Sequence, residues 1–95
     1  MHNTTLAVVA TDAALPREEA TQLARAAGAA LFRRITPAGT SVDGDIVFAL
    51  ARHDGRRSPL PQLESLATSA LEEAIERAVR LARGRDGVPG VGDRA

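Results

Sequence analysis

Two short segments of the 95-residue sequence carry residue types that could do hydrolytic chemistry. The first is Asn3-Thr4-Thr5 and the second is Asp43-Gly44-Asp45, and each directly precedes an apolar run. A threonine hydroxyl is a weak nucleophile at neutral pH and needs an adjacent base. The free α-amine of the same residue is such a base, because it lies within reach and titrates near neutrality. That chemistry on Thr4 requires that the Asn3–Thr4 bond be cut.

The two aspartates suggest a supporting function. Two carboxylates that stand two residues apart at the start of a strand can reach a neighbouring strand end, where they share a proton or stabilise a cation. A purely structural interpretation stays open for both segments. Asn and Thr commonly begin strands, and Asp-Gly-Asp is typical of a turn in which glycine supplies an unusual dihedral angle.

These residues are positioned by a predicted β-α-β-α unit of the α/β class. Short apolar runs predict strands over about 5–11 and 46–51, of the kind that is buried on both faces. Helical spacing of apolar residues, with Pro16 and two glutamates at the start, predicts a helix over about 16–35. A longer apolar stripe predicts a second helix over about 61–83.

The predicted elements make one thin domain over residues 1–84, followed by a flexible C-terminal tail at 85–95 that is rich in Gly, Pro, Asp and Arg. A two-stranded sheet is marginal by itself in water. Because both strands are apolar on both faces, we expect a further layer to cover them. That layer comes from another polypeptide or from a second copy of this chain.

Composition excludes several other classes of protein. Twelve basic residues balance 12 acidic ones, so there is no surplus of positive charge for binding nucleic acid. The sequence has no cysteine, only two histidines and no glycine-rich phosphate loop, so we expect neither a metal nor a cofactor. Residues 1–15 lack the basic start of a signal peptide, and no apolar run approaches the ~20 residues that span a membrane. We expect a soluble, cytoplasmic protein with no membrane partner.

Together, the two segments and their surroundings resemble the start of the β-chain in the L-aminopeptidase/D-esterase (DmpA-like) family. The resemblance is carried by the string from Asn3 to Ala13, by Asp43-Gly44-Asp45 and by the Val47-Phe48-Ala49-Leu50 that follows. It covers residues 3–51 well and the second helix loosely. It is closest to the threonine-bearing branch that resembles the nylon-oligomer endohydrolases.

The resemblance implies a self-processing hydrolase with an N-terminal nucleophile. Members of the family are made as one precursor that cuts itself, and the larger and smaller parts stay together in an αββα sandwich. It implies that Asn3–Thr4 is the cleavage bond, that Thr4 is the catalytic nucleophile, and that Asp43 and Asp45 are the acidic pair supporting it. It also implies a larger α-chain as partner, which supplies the oxyanion donors, and a small peptide, amide or ester as substrate.

A second hypothesis is a catalytically silent, truncated homologue that acts as a small self-associating module. It is favoured by Gly28 and Gly39, which stand where the family usually carries histidine. Such a module would cover its apolar strands with a second copy of itself. Under either hypothesis the residues leave the substrate open among L-peptides, D-esters, β-peptides and synthetic oligoamides, because the selecting pocket is expected in the larger part.

Overall fold

A parallel pair of strands with helices on one side forms the fold. The computed structural model describes residues 4–35 and 45–94. In chain order the elements are β1 (Leu6–Ala14), α1 (Arg17–Ala27), α2 (Ala29–Arg34), β2 (Ile46–Arg52), α3 (Leu60–Arg80) and a short 3-10 helix (Val91–Arg94). β1 and β2 are parallel, with Leu6 opposite Ile46 and Ala10 opposite Leu50. The predicted α/β class is confirmed.

The two faces of the sheet differ in how they are covered. Ala7 and Val9 are buried against the helices, and Val47 and Ala49 pack beside them. The opposite face, which we call the open face, consists of side chains that are 42–69% exposed: Leu6, Val8, Ile46, Phe48 and Leu50. Parallel sheets in proteins are ordinarily covered on both faces. Within the described residues, only one of the two apolar faces has that cover.

The first predicted helix, over 16–35, is divided in two. α1 ends at Ala27 and α2 begins at Ala29, with Gly28 between them. The Leu31 N–H donates to the Gly28 carbonyl at 3.0 Å, a three-residue hydrogen bond that tightens the turn. A Cβ at position 28 would come within 3.1 Å of the Arg25 carbonyl oxygen, so glycine permits the tight junction.

Small side chains hold the helices close to the sheet. Ala27 and Ala30 are fully buried, and Leu71 brings α3 into the same core. At the surface, the Arg34 guanidinium joins α2 to α3 through Glu72 at 3.3 Å and Glu76 at 2.6 Å. Partly exposed ion pairs of this kind add little stability. Most of the stabilisation between the helices therefore comes from the contact lined by the buried alanines. Among the described helices, none has the length and apolar character that crossing a membrane requires.

The C-terminal residues, predicted as a flexible tail, fold back on the end of α3. That helix ends at Arg80 rather than at about 83. Asp86 and Gly87 have φ of 53° and 84°, in a turn closed by reciprocal backbone hydrogen bonds between Arg85 and Val88 of 2.8 and 2.9 Å. Positive φ at both positions is what an Asp-Gly hairpin turn requires. A carboxylate then fastens the segment, because the N–H groups of two glycines, Gly84 and Gly90, donate to Asp93 at 2.8–2.9 Å.

The fold-back is predicted to depend on pH through Asp93. The Gly84 N–H, and next the Gly90 N–H, hold the pKa of the Asp93 carboxyl below its ordinary value. Because the folded pKa is lowered, the stabilisation is present above the ordinary pKa and is lost as pH falls through the folded one. We expect the amide resonances of Gly84 and Gly90 to shift together below about pH 4 in an NMR titration.

Asp93→Asn provides the control, because it removes the titrating group and keeps an acceptor oxygen. In that variant neither glycine amide should show the transition. A carboxyl of Asp93 that titrates at or above its ordinary pKa would contradict the assigned hydrogen bonds.

Candidate active site

The amino ends of β1 and β2 bring two candidate residues to one place. The backbone N–H of Thr5 donates to Asp45 Oδ1 at 3.0 Å, although the two residues are 40 positions apart. The Ile46 N–H donates to the Thr5 carbonyl oxygen at 2.9 Å and begins the parallel ladder. Thr4 directly precedes Thr5, so the candidate nucleophile and one candidate acid lie at the same end of the sheet, where both strands begin.

The candidate nucleophile and the candidate acid differ in their exposure to solvent. Thr4 is exposed, whereas Asp45 is half-buried. Asn3, on the predicted cleavage bond, and Asp43, the other predicted acid, lie outside the described residues. Their functions stay predictions, as does the nucleophilic function of Thr4.

The hydrogen bond from Thr5 gives Asp45 a structural function of its own. A carboxylate that accepts a backbone N–H makes a charge-assisted bond, roughly twice as strong as a neutral one. Here that bond fixes the start of β1 against the start of β2. Thr5 directly follows Thr4, whose amide nitrogen would become an α-amine after cleavage before Thr4.

The candidate site lies at the amino ends of the strands, opposite to the end at which open parallel sheets ordinarily bind ligands. In such sheets, ligands bind outside the carboxyl ends of the strands. At that end of β1 the Thr11 hydroxyl accepts the N–H of Ala13 at 3.1 Å, which is a local turn contact. After β2, His53 is exposed, and Arg52 pairs with Asp54 at 3.8 Å between exposed side chains. The general rule for open parallel sheets would therefore have placed the site at the carboxyl ends of β1 and β2.

A cleft of about 350 Å³ adjoins Asp45 on the helical side of the sheet. Its walls include Arg25, Gly28 and Phe32 from the junction of α1 and α2, and Phe32 is 64% exposed. Neither Arg25 nor Phe32 was predicted from the sequence as a site residue. Their spacing could have indicated that they line one cleft, because positions 25, 28 and 32 fall on one face of the helix predicted over 16–35. A cleft of this size suits a small ligand group, with the Arg25 guanidinium available to an anionic part of it.

Known proteins match this chain. A model of peptidase family S58 matches residues 1–91. Uncharacterized aminopeptidase ML1167 of Mycobacterium leprae (strain TN) is 55% identical over 49 residues, which are 52% of this chain and 14% of that protein. Uncharacterized aminopeptidases Mb1368 of Mycobacterium bovis (strain ATCC BAA-935 / AF2122/97) and Rv1333 of Mycobacterium tuberculosis (strain ATCC 25618 / H37Rv) are each 39% identical over 87 residues, which cover 81% of this chain. Those matches span only 25% of the length of each relative.

Removing the Asp45 carboxylate is predicted to weaken the fold. Asp45→Ala leaves the half-buried Thr5 N–H without its charged acceptor, so we expect a loss of about 1–3 kcal/mol in the free energy of unfolding. Asp45→Asn keeps an acceptor oxygen and should lose less. Urea unfolding followed by circular dichroism measures both.

Asp54→Ala is the matched control, because Asp54 contacts Arg52 only across exposed side chains at 3.8 Å. We expect it to change the unfolding free energy by at most about 0.5 kcal/mol. If Asp45→Ala were no more harmful than Asp54→Ala, the Thr5 contact would not be what fixes the start of β1.

Proposed function

Because the chain belongs to peptidase family S58, we propose that it is the nucleophile-bearing part of a self-processing amide hydrolase. The membership confirms the resemblance to the DmpA-like family, and relatives named aminopeptidases support a peptidase-like function. The observation that best supports the proposal is the hydrogen bond from the Thr5 N–H to Asp45. It ties the residue that follows the candidate nucleophile to a candidate acid.

The proposed first reaction is processing of the Asn3–Thr4 bond. The Thr4 hydroxyl oxygen attacks the carbonyl carbon of Asn3, and the C–N bond between the two residues breaks. The hydroxyl proton passes to the departing nitrogen, so that Asn3 is left as an ester on the threonine oxygen. Water hydrolyses that ester, which gives a carboxylate on Asn3 and a free α-amine and hydroxyl on Thr4.

The same hydroxyl then serves in turnover of an amide substrate. It attacks the substrate carbonyl carbon while the α-amine of Thr4 takes its proton. Asp43 and Asp45 stabilise the resulting ammonium. The proton passes to the leaving amine, the acyl group stays on the threonine oxygen as an ester, and water releases it as an acid. We infer that backbone N–H donors from the larger region stabilise the oxyanion, since loss of one such donor typically costs on the order of 100–1,000-fold in rate.

A larger region of the same protein or a separate partner chain is required by this proposal. The relatives carry about three quarters of their length outside the matched segment, since that segment spans 25% of it. Covering the open face removes Leu6, Phe48 and their neighbours from water. Because these side chains are already partly buried, their burial favours association by roughly 1–2 kcal/mol each. Thr4 stands two residues before Leu6, so a region that covers the open face also closes over the nucleophile. Such a region completes the αββα sandwich that the resemblance implies.

Cleavage is tested in a chimera in which this chain replaces the matching segment of the Mycobacterium tuberculosis relative. We expect intact mass spectrometry to find a fragment that begins at Thr4, and Thr4→Ala to abolish both that fragment and the hydrolysis of amino-acid p-nitroanilides. Thr4→Ser should retain both, because it keeps a hydroxyl nucleophile and an α-amine.

Thr5→Ala is the matched control, since it removes a neighbouring hydroxyl and keeps the N–H that Asp45 accepts. It should leave the site of cleavage unchanged. Cleavage that persists in Thr4→Ala, or that occurs at another bond, would falsify the assignment of the nucleophile.

The open face also favours the second candidate function, a self-associating module without catalysis. In the absence of the larger region, two copies can cover each other's open faces. We predict concentration-dependent association of the chain in analytical ultracentrifugation, and a weakening of about tenfold or more in Phe48→Ser. Phe48 is 51% exposed, so its loss should lower the unfolding free energy of the monomer by only about 1 kcal/mol.

Val79→Ser is the control for that experiment, because Val79 is 59% exposed on α3 and lies outside the open face. It should leave association unchanged. A chain that stays monomeric at every concentration, or equal effects of the two variants, would exclude the open face as a self-association surface.

A further inference from the structure

The cleft beside Asp45 connects the candidate active site to the helical layer. Asp45 accepts the Thr5 N–H at 3.0 Å and also forms part of the wall of the cleft. Arg25 and Phe32, at the junction of α1 and α2, form another part of that wall. A ligand group in the cleft therefore lies next to the strand ends where the Thr4 hydroxyl is proposed to act.

The guanidinium of Arg25 is the basic group of this cleft. Arg25 is exposed, and in the described part of the chain no carboxylate lies within ion-pair distance of it. By contrast, Arg33 of α2 pairs with Glu72 at 3.2 Å. The planar fork of N–H donors on a guanidinium matches a carboxylate through two parallel hydrogen bonds. Arg25 thus presents that fork to a ligand.

The remainder of the cleft is mainly apolar. Its walls include Ala24, Leu31, Phe32 and Val47. The Phe32 ring is 64% exposed and is one of only two aromatic side chains in the sequence. Apolar walls with a few placed polar groups are typical of small-molecule sites, and about 350 Å³ is near the lower end of their usual size. The ligand that fits is one apolar residue with an anionic end.

The sign of the charge decides which half of a peptide substrate can lie in the cleft. In a dipeptide, the acyl half carries a free ammonium and the leaving half carries a free carboxylate. The Arg25 guanidinium repels an ammonium and attracts a carboxylate. The leaving half therefore fits the cleft, whereas the acyl half does not.

We propose that this cleft binds the leaving amino acid of a dipeptide substrate, with its α-carboxylate on Arg25 and its side chain against Phe32. When the amide bond breaks, the leaving nitrogen takes the proton that came from the Thr4 hydroxyl, and the free amino acid departs from the cleft. Arg25 is then a specificity-determining residue that favours dipeptides over their amides. The proposal rests on the proposed function, because it assigns a substrate to the same site.

The test compares L-alanyl-L-phenylalanine with its C-terminal amide as substrates of the processed chimera described above. We expect kcat/KM to be at least about tenfold higher for the dipeptide than for its amide. Arg25→Gln should lower kcat/KM for the dipeptide by about 10- to 100-fold, mainly by raising KM, and should leave the amide nearly unchanged. Arg25→Lys should have an intermediate effect, because it keeps the charge and loses the fork.

Arg33→Gln is the matched control, since it removes the same charge from a residue that pairs with Glu72 outside the cleft. It should leave the preference for the dipeptide unchanged. Phe32→Ala should raise KM for the dipeptide and the amide alike, because both carry the side chain that Phe32 contacts.

Turnover of L-alanine p-nitroanilide, which has no carboxylate, reports the proposed hydrolysis independently of Arg25. If the chimera hydrolyses this anilide but uses the dipeptide and its amide equally well, the carboxylate subsite is wrong and the proposed function stands. A loss in Arg25→Gln that is the same for all three substrates would also overturn the proposal, because it would limit Arg25 to stabilising the end of α1. Faster turnover of L-alanyl-L-aspartic acid α-amide than of the dipeptide would overturn it too, by assigning the carboxylate to the side chain.

A binding experiment on the chain itself decides the question if the chimera hydrolyses no substrate. N-acetyl-L-phenylalanine carries the leaving half on an amide and serves as the probe. We expect it to shift the amide resonance of Gly28 in an NMR titration, whereas N-acetyl-L-phenylalanine amide should not, and Arg25→Gln should abolish the shift. Absence of a shift, or equal shifts with the acid and the amide, would contradict the subsite.

Discussion

The structure depends on a parallel pair of strands that has helices on one face only. A parallel connection needs a crossover, and α1 and α2 supply it while burying Ala7 and Val9. The other face presents Leu6, Val8 and Phe48 to solvent. Apolar surface of this extent favours a covering layer by the hydrophobic effect. Under the proposed function a larger region supplies that layer, and the chain spans about a quarter of the length of the relatives it matches.

The same constraint links folding to the proposed chemistry. Asp45 holds the Thr5 N–H and so fixes where β1 begins. The threonine before it stands at the margin of the open face, where an added layer would arrive. Under the proposed function, a nucleophile placed there would gain its oxyanion donors and its exclusion of water from the layer that also completes the fold. Assembly and catalytic competence would then be one event.

The sequence predicts the order and class of the elements because their signals are local. The apolar runs before and after the first helix are short and bounded by polar residues, and they are strands in the structure. The break at Gly28 could not be read in the same way, because alanines continue the helical pattern on both sides of it. The Asp86-Gly87 pair was a hairpin signal within a segment whose composition alone predicted flexibility.

For the candidate site, the pairing of distant segments is what the sequence could not settle. Asn3-Thr4-Thr5 and Asp43-Gly44-Asp45 each have an ordinary structural interpretation, and only the parallel register brings Thr5 to Asp45. The cleft beside Arg25 and Phe32 depends on the kink between α1 and α2.

Under the proposed function, the Thr4 hydroxyl becomes an acylating nucleophile only within the completed assembly. Covalent labelling with a β-lactone, followed by peptide mapping, tests it most directly, because the lactone esterifies an activated hydroxyl and marks the residue that carries it. We expect an ester on Thr4 in the processed chimera and none on the 95-residue chain alone. Labelling of another residue in the chimera, or none at all despite amide hydrolysis, would contradict it.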